Sequence, residues 1–181
     1  MIPAGTAAFA GFVHLAQVLD VIEALVAGSG HPEITAVGRY GNDLVAGGPS
    51  PAGVRVRYET GAEAYLWGAV RPGENALPTP EQLPPPVRRV DRLAVFTVWL
   101  LDAARPAAFR SWQLVALPEL GPTDERGKVP SGVRIVCADG TSLLLRVTAA
   151  GGPERDPDVD RYPEYRIPDG LGAGPAPDRA G

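Results

Sequence analysis

Residues 53–70 read GVRVRYETGAEAYLWGAV, and residues 132–149 read GVRIVCADGTSLLLRVTA. Each stretch opens on Gly-Val-Arg followed by Val or Ile, and each has a second glycine eight residues after its first. Apolar, strand-forming residues resume after that glycine in both stretches. Two such runs around a turn are typical of a β-hairpin. The chain is therefore predicted to contain two related hairpins, offset by 79 residues.

The turns of these hairpins are predicted to hold two residues each. Asp139-Gly140 is a strong signal for a type I′ turn, because both of its residues accept a positive φ. Thr60-Gly61 occupies the equivalent place in the first hairpin. Arg55 and Arg57 are two residues apart and so share one face of their strand. A two-residue turn at Thr60-Gly61 would place Leu66 and Ala64 opposite them. The other face is predicted to belong to the core and to carry Val54, Val56, Tyr58, Tyr65 and Trp67.

A further strand precedes each predicted hairpin. The same offset places Ile34–Val37 opposite Gln113–Ala116, and a loop rich in Gly and Pro follows each of these runs. The repeated unit is thus predicted to be three-stranded and antiparallel, at about 34–70 and again at 113–149. Because a lone three-stranded sheet buries little surface, two such units are expected to cover one another or to pair edge to edge. The alternative is a chance match between two stretches of similar composition.

Two segments concern helices. The pattern over Phe9–Ala27 predicts a helix, because apolar residues recur there at steps of three and four. The segment 92–106, RLAVFTVWLLDAARP, is apolar on every side and rich in residues that favour strands. A strand buried on both faces is predicted over 93–101, with a buried helix as the alternative. The apolar stripe of the first helix consists of Leu15, Val18, Leu19, Ile22, Leu25 and Val26.

These elements predict an α+β fold, in which an N-terminal helix packs on a mainly antiparallel sheet made of two units with a pseudo-twofold relation. A single globular domain is expected over 1–150, built of units at about 8–70 and 89–149. The segment 71–88 contains six prolines and is predicted to be a semi-rigid connector. Residues 151–181 have no hydrophobic periodicity and are predicted to form a largely disordered tail.

Charge argues against a nucleic-acid binder. The formal net charge is -4, and 21% of the residues are charged. Arg88, Arg89 and Arg92 alternate with Val90 and Asp91 rather than with the aromatic residues that stack on bases. Nearly all basic residues are arginine, a skew that a GC-rich genome produces by itself, so it is weak evidence for arginine chemistry.

Cysteine usage and the N-terminal region predict a cytoplasmic protein. The single cysteine, Cys137, excludes an intramolecular disulfide. No Lys or Arg precedes Arg39, whereas a secretory signal needs a positive start. Asp20 and Glu23 interrupt the apolar N-terminal run, which argues against a membrane span.

The residues that carry catalysis or bind metals do not form a recognisable set. His14 lies within the first helix and His31 lies in a turn, with no zinc-type spacing to Cys137. Cys137 is predicted to be a small packed side chain in a strand rather than a nucleophile. The acidic run 154–160 lacks the glycine and the glutamate of a calcium loop. We therefore expect no metal, no cofactor and no catalytic group.

The candidate binding residues are arginines on the hairpins and tyrosines in the tail. Arg55 and Arg134 occupy equivalent positions of the two hairpins, and Arg57 lies on the same face as Arg55. Tyr162 and Tyr165 are expected to dock on the domain or on a partner. The predicted function is a non-enzymatic protein-binding adaptor, immunity-type inhibitor or chaperone that acts through an open sheet face or edge, with a homo-oligomer as a further option.

The alternative function is an enzyme or a small-ligand protein with a cleft between the two units. Its candidate residues would be Arg55, Arg57, Tyr65 and Asp43, with His31 if the fold brings it near. A deep pocket that gathers these side chains would favour this alternative.

Overall fold

The computed structural model describes residues 6–45, 48–70, 73–151 and 156–172, with side chains from residue 14 onward. Its chain order is helix, three strands, a two-residue strand, helix, and three strands. The elements are α1 (Thr6–Gly28), β1 (Ile34–Tyr40), β2 (Gly53–Tyr58), β3 (Glu63–Ala69), β4 (Asn75–Ala76), α2 (Arg89–Ala104), β5 (Phe109–Ala116), β6 (Gly132–Cys137) and β7 (Ser142–Ala150).

The strands form one seven-stranded sheet in the order β1-β2-β3-β7-β6-β5-β4. Every neighbouring pair is antiparallel. The pairing of β3 with β7 joins the two predicted hairpins at the middle of the sheet, where Trp67 lies opposite Arg146. The fold is therefore α+β with an N-terminal helix and an antiparallel sheet, as predicted.

The apolar stripe predicted for α1 lies in the core, since all six of its residues are at most 3% exposed. The helix ends at Gly28, after which the hydroxyl of Ser29 donates to the carbonyl oxygen of Val26 at 2.7 Å. Gly30 then adopts a φ of +61°, a conformation that glycine accepts at little cost. These local contacts turn the chain sharply from α1 towards β1.

The strand predicted over 93–101 is wrong, because Arg89–Ala104 forms the helix α2. Its buried positions include both the side that faces the sheet and the side that faces away from it. The proline-rich connector covers part of the side that faces away from the sheet. There the indole Nε1 of Trp99 donates to the carbonyl oxygen of Pro80 at 3.1 Å. A helix covered on nearly all sides has an apolar pattern without periodicity, so its sequence resembles that of a buried strand.

The two-residue turns are also wrong, because each hairpin closes with a loop of three residues, 59–61 and 138–140. The amide of Tyr58 donates to the carbonyl oxygen of Ala62 at 2.9 Å, and that of Cys137 to Thr141 at 2.8 Å. The third residue of each loop is a glycine with positive φ, as in hairpins that end in a bulge. In the second loop, the carboxylate of Asp139 accepts from the amide of Thr141 rather than supplying a type I′ turn.

The longer loop shifts the register of β3 by one residue and so reverses its two faces. Arg55 lies opposite Tyr65, and Val54 lies opposite Leu66. Tyr65 and Trp67 therefore share a face with Arg55, whereas the sequence predicted them in the core. Ala64 and Leu66, both 0% exposed, occupy the core positions instead.

The described parts of the connector and of the tail pack on the domain. Asn75 and Ala76 pair with β5 as a short edge strand, which proline-rich flanks permit. Residues 156–172, in the segment predicted to be a largely disordered tail, run over the helices, where Ile167 and Leu171 pack on the core. We call residues 156–172 the strap. No helix among the described residues is long and apolar enough to span a membrane.

Candidate functional site

Both helices pack against one face of the sheet, and no helix among the described residues covers the other face. Leu117 and Leu120, which follow β5, cover part of that second face. The alternation along β2 shows the two sides, because Val54 and Val56 are buried while Arg55 and Arg57 are exposed. Side chains of large aromatic residues and arginines line the helix-free side. We call this surface the arginine-aromatic face, and its residues are Tyr40, Arg55, Arg57, Tyr65, Trp67, Arg134 and Arg146.

The aromatic residues of this face are held in defined positions. The rings of Tyr40 and Tyr65 meet edge to face with centroids 5.3 Å apart. Burial, followed by the neighbouring Tyr65, raises the pKa of Tyr40 to about 12. The indole Nε1 of Trp67 donates to the hydroxyl of Thr148 at 3.2 Å, and the guanidinium of Arg146 lies 5.5 Å from the centroid of the Trp67 ring. These contacts hold the aromatic side chains in place within the folded chain.

Glutamate side chains pair with two arginines of this face. Arg57 Nε donates to Glu63 Oε1 at 2.9 Å, and the hydroxyl of Tyr65 donates to the other carboxylate oxygen at 2.5 Å. The hydrogen bond from Tyr65, followed by that from Arg57, lowers the pKa of Glu63. Arg134 Nε similarly donates to Glu74 at 2.8 Å. Two of the four arginines therefore have a glutamate partner, and Arg55 is exposed.

A cleft of about 450 Å³ adjoins the arginine-aromatic face where β7 extends past the start of β6. Its walls come from β7, from the loop between β5 and β6, and from the first turn of α2. Burial raises the pKa of Asp91 in this cleft, an effect that the neighbouring Arg88 opposes. Leu120, Val129 and Thr148 also line the cleft.

The five predicted binding residues fall into two groups. Arg55, Arg57 and Arg134 lie on the arginine-aromatic face, although β3 and β7 separate β2 from β6. Arg134 is also displaced along the strands, because it pairs with Leu144 whereas Arg55 lies in the row of Tyr65 and Thr148. Three strand spacings of about 4.8 Å and a displacement of four residues put Arg134 about 20 Å from Arg55 and farther from Arg57. Tyr162 and Tyr165 belong to the strap, and their rings lie near His31 on the helix side of the sheet.

The residues predicted for an enzyme do not gather in one cleft. Tyr65 lies with Arg55 on the arginine-aromatic face, whereas His31 is packed against Phe96 on the helix side. Asp43 lies in the loop after β1, where its amide donates to the carbonyl oxygen of Ser50 at 3.1 Å. Over residues 6–45, 48–70, 73–151 and 156–172, no group of three or more His, Cys, Asp and Glu side chains could hold a metal ion. Cys137 is buried, and burial raises the pKa of its thiol.

A cluster of buried charges on the helix side holds the strap to the domain. We call it the charged clasp, and it consists of Glu33, Arg89, Arg92, Asp156 and Asp160. Arg92, whose side chain is 1% exposed, donates to Glu33 at 2.8 Å, to Asp160 at 3.0 Å and to the carbonyl oxygen of Pro84 at 2.7 Å. One guanidinium therefore joins the α1–β1 loop, the connector and the strap.

Arg89 makes the second link of the charged clasp. Its guanidinium binds both carboxylate oxygens of Asp156, at 3.1 and 3.0 Å, and lies 3.6 Å from the centroid of the Tyr58 ring. Burial by itself raises the pKa of Asp156, but the hydrogen bonds from Arg89 and Thr60 outweigh it, so the pKa is lowered. The same balance, with the amide of Tyr162 and Arg92 as donors, lowers the pKa of Asp160.

His31 lies beside the charged clasp in an aromatic surrounding. Its ring meets Phe96, Tyr162 and Tyr165 at centroid distances of 5.3, 6.0 and 4.2 Å. Its Nδ1 accepts from the amide of Glu33 at 3.3 Å, and its buried Nε2 has no hydrogen-bond partner among the described residues. Burial lowers the pKa of His31, against the opposite effect of the Glu33 carboxylate. The ring is therefore neutral in the folded chain at neutral pH.

We expect stability to fall on acidification because of His31. A histidine whose folded pKa lies below the unfolded value contributes full stability above that value, which is 6.5, and loses it as the pH falls. The loss reaches about 1.4 kcal/mol for each pH unit that separates the two pKa values. Urea unfolding of the wild type and of His31→Gln at a series of pH values measures it. A wild-type curve with the same shape as that of the variant would contradict this assignment.

Tyr165→Phe should lower the free energy of unfolding by about 1 kcal/mol, because the phenol donates to the carbonyl oxygen of Ser29 at 2.7 Å in a half-buried setting. Tyr162→Phe is the matched control, since its hydroxyl binds Glu59 at the surface, and its effect should stay within about 0.5 kcal/mol. Equal effects in urea unfolding would show that the strap is not anchored through Tyr165.

Sequence reasoning missed several of the residues that build these two sites. Tyr40 and Trp67 complete the arginine-aromatic face, and Glu33, Arg89 and Arg92 build the charged clasp. The 79-residue offset could have pointed to one of these contacts. It relates Trp67 to Arg146, and these two residues lie opposite one another in the sheet. The charged clasp left no signal, since its members come from three distant segments.

Comparison of the chain with protein-family models, with curated proteins and with solved structures found no significant match in any of the three.

Proposed function

We propose that the protein is a binding module for another protein and that it acts through the arginine-aromatic face. The observation that carries this proposal is the composition of that face, where Trp67 and two tyrosines in edge-to-face contact lie among four arginines. Trp, Tyr and Arg are the residue types that dominate binding energy at protein interfaces. Hydrogen bonds and stacking already hold these side chains, so little conformational entropy is lost when a partner binds.

The partner should present an acidic surface. Arg55 and Arg57 are exposed, and Arg57 shares the Glu63 carboxylate with the hydroxyl of Tyr65. An acidic partner would gain both a faster encounter and better pairing with these guanidinium groups. A second copy docked face to face would instead bring arginines against arginines. This charge pattern favours a partner of a different sequence.

Affinity capture from a lysate of the source organism tests the proposal. Wild type, Trp67→Ala and the double variant Arg55→Glu/Arg57→Glu serve as baits, with Arg166→Glu on the exposed strap as the matched control. We expect one protein to be retained by the wild type and by the control, and to be lost by both face variants. Titration of the identified protein should show at least about 30-fold weaker binding to Trp67→Ala, and weaker wild-type binding at higher salt.

Two results would contradict the proposal. A partner that all four baits retain equally would place recognition outside the arginine-aromatic face. If the double variant loses the partner but the affinity depends neither on Trp67 nor on salt, the aromatic and charged contacts proposed here do not carry the binding.

The 450 Å³ cleft supports a second candidate function, the binding of a small molecule. Its volume falls in the range of about 300–1,000 Å³ that ligand pockets occupy. Native mass spectrometry of the purified protein checks it, because a retained compound should disappear when Val129→Trp fills the cleft. Wild-type protein that retains no compound would leave the protein-binding proposal alone.

We also infer that the chain arose by duplication of a helix and three strands, with a pseudo-twofold relation between the units. Three features support this inference. Both hairpins close with three-residue loops that end in glycine, both outer strand pairs carry a register shift near the start of the first strand, and residues 67 and 146, offset by 79, pair at the sheet centre. An experimental structure tests it by superposition of strands 34–69 on 109–148. Failure of the first strand to superpose would contradict it.

A further inference from the structure

The strap lies on the domain in the manner of a bound peptide. Between Asp156 and Tyr165 its contacts with the domain are made mainly by side chains, and the exception is the amide of Val87, which donates to the carbonyl oxygen of Pro157 at 3.0 Å. Two carboxylates bind buried arginines, and the phenol of Tyr165 reaches the backbone of Ser29. The sheet and its two helices do not depend on this segment for their strand pairing.

The site beneath the strap has the character of a receptor for an acidic segment. With the strap in place, the side chains of Arg89 and Arg92 are only 5% and 1% exposed, and both donate to the strap carboxylates. The site itself supplies one carboxylate, Glu33, for the two guanidinium groups. A segment with carboxylates four residues apart gives each guanidinium a carboxylate partner of its own in addition to Glu33.

We propose that this site is exchangeable, and that it can bind residues 156–172 of a second copy of the chain in place of its own. The strap is the segment whose fit to the site is shown, since Asp156, Asp160 and Tyr165 already occupy it with good geometry. Exchange of an identical element creates the same contacts in trans and is a low-cost route to a dimer.

Competition within the chain decides when exchange occurs. The tethered strap has a high effective concentration at its own site, so the wild type should be mainly monomeric in dilute solution. Weakening the strap of one copy removes this advantage and leaves an intact site for the strap of another. The sites for the protein partner and for the strap lie on opposite faces of the sheet, so this proposal does not rest on the proposed function.

A mixing experiment with two full-length variants tests exchange. Asp156→Asn/Asp160→Asn has a weakened strap and an intact site, whereas Arg89→Gln has an intact strap and a weakened site. We expect each variant alone to have the mass of one 18.9 kDa chain in light scattering, and an equimolar mixture to form a one-to-one dimer. Adding Trp67→Ala to both variants should leave this dimer unchanged. A mixture of two folded variants that stays monomeric overturns the proposal.

A peptide measurement keeps the test decisive if Arg89→Gln does not fold. A fluorescent peptide of residues 156–172 is titrated into the folded Asp156→Asn/Asp160→Asn variant, with a matched peptide that carries Asn in place of both aspartates. We expect the natural peptide to bind at least about tenfold more tightly, because hydrogen bonds to charged groups distinguish the two. No binding of the natural peptide, or equal binding of both peptides, overturns the proposal.

Discussion

Replacement of Arg92 by methionine is expected to lower the free energy of unfolding by about 3–5 kcal/mol. The side chain is 1% exposed and joins Glu33, Asp160 and the carbonyl oxygen of Pro84. Methionine fills a similar volume but leaves the Glu33 carboxylate, itself 9% exposed, with only Arg89 at 3.4 Å. An uncompensated buried charge is the main cost of such a change.

Urea unfolding at neutral pH measures this effect, with Arg161→Met as the control. Arg161 is 58% exposed and pairs with Glu59, which is 28% exposed, so its replacement should cost less than about 1 kcal/mol. The double variant Arg92→Met/Glu33→Gln should recover part of the loss, because it removes the unpaired carboxylate. Equal effects of the two single variants would show that the charged clasp does not stabilise the fold.

Gly53→Ala should cost about 1–3 kcal/mol and should also displace Tyr40 from the arginine-aromatic face. A Cβ at this position would lie 2.3 Å from the carbonyl oxygen of Leu66 and 2.5 Å from the hydroxyl of Tyr40. The first of these atoms belongs to the paired strand and cannot move without bending the sheet. The second belongs to the tyrosine whose ring meets Tyr65 edge to face, so the aromatic surface should loosen with it.

Gly38→Ala is the matched control for this change. Gly38 lies on the neighbouring strand β1, and a Cβ there would meet no atom within 4 Å. Its replacement should be neutral or stabilising by a few tenths of a kcal/mol, because alanine restricts the unfolded chain. Urea unfolding gives both free energies, and near-ultraviolet circular dichroism reports the tyrosine environment. A Gly53→Ala variant as stable as Gly38→Ala would contradict the close approach of β2, β3 and Tyr40.

The arginine-aromatic face illustrates how far sequence reasoning reached. The alternation of Val54, Arg55, Val56 and Arg57 correctly predicted which side of β2 faces the core. The faces of β3 were predicted the wrong way round, because a two-residue turn was assumed where the loop has three residues. Since side chains alternate along a strand, a loop longer by one residue places Tyr65 and Trp67 on the arginine-aromatic face instead of in the expected core. Trp67 packs there against a second apolar cluster that includes Leu117 and Leu144.

The charged clasp lay beyond sequence reasoning for a different reason. Glu33 lies 56 residues before Arg89 in the chain, and Asp156 lies 67 residues after it. No local pattern marks residues that meet only when the connector, α2 and the strap are packed together. The tail was accordingly predicted to be largely disordered, although residues 156–172 carry two of the carboxylates that neutralise the buried arginines.

The sequence by itself determined the amphipathic helix α1, the two hairpins and the buried side of β2, because each depends on a periodicity that neighbouring residues carry. Tertiary structure alone decided the register of β3, the helical state of α2 and the order of the strap. Residues 93–101 are apolar all round because the sheet, the connector and the strap cover the helix on different sides. A segment surrounded by other parts of the chain loses the periodic contrast between water and core, and with it the local signal of its secondary structure.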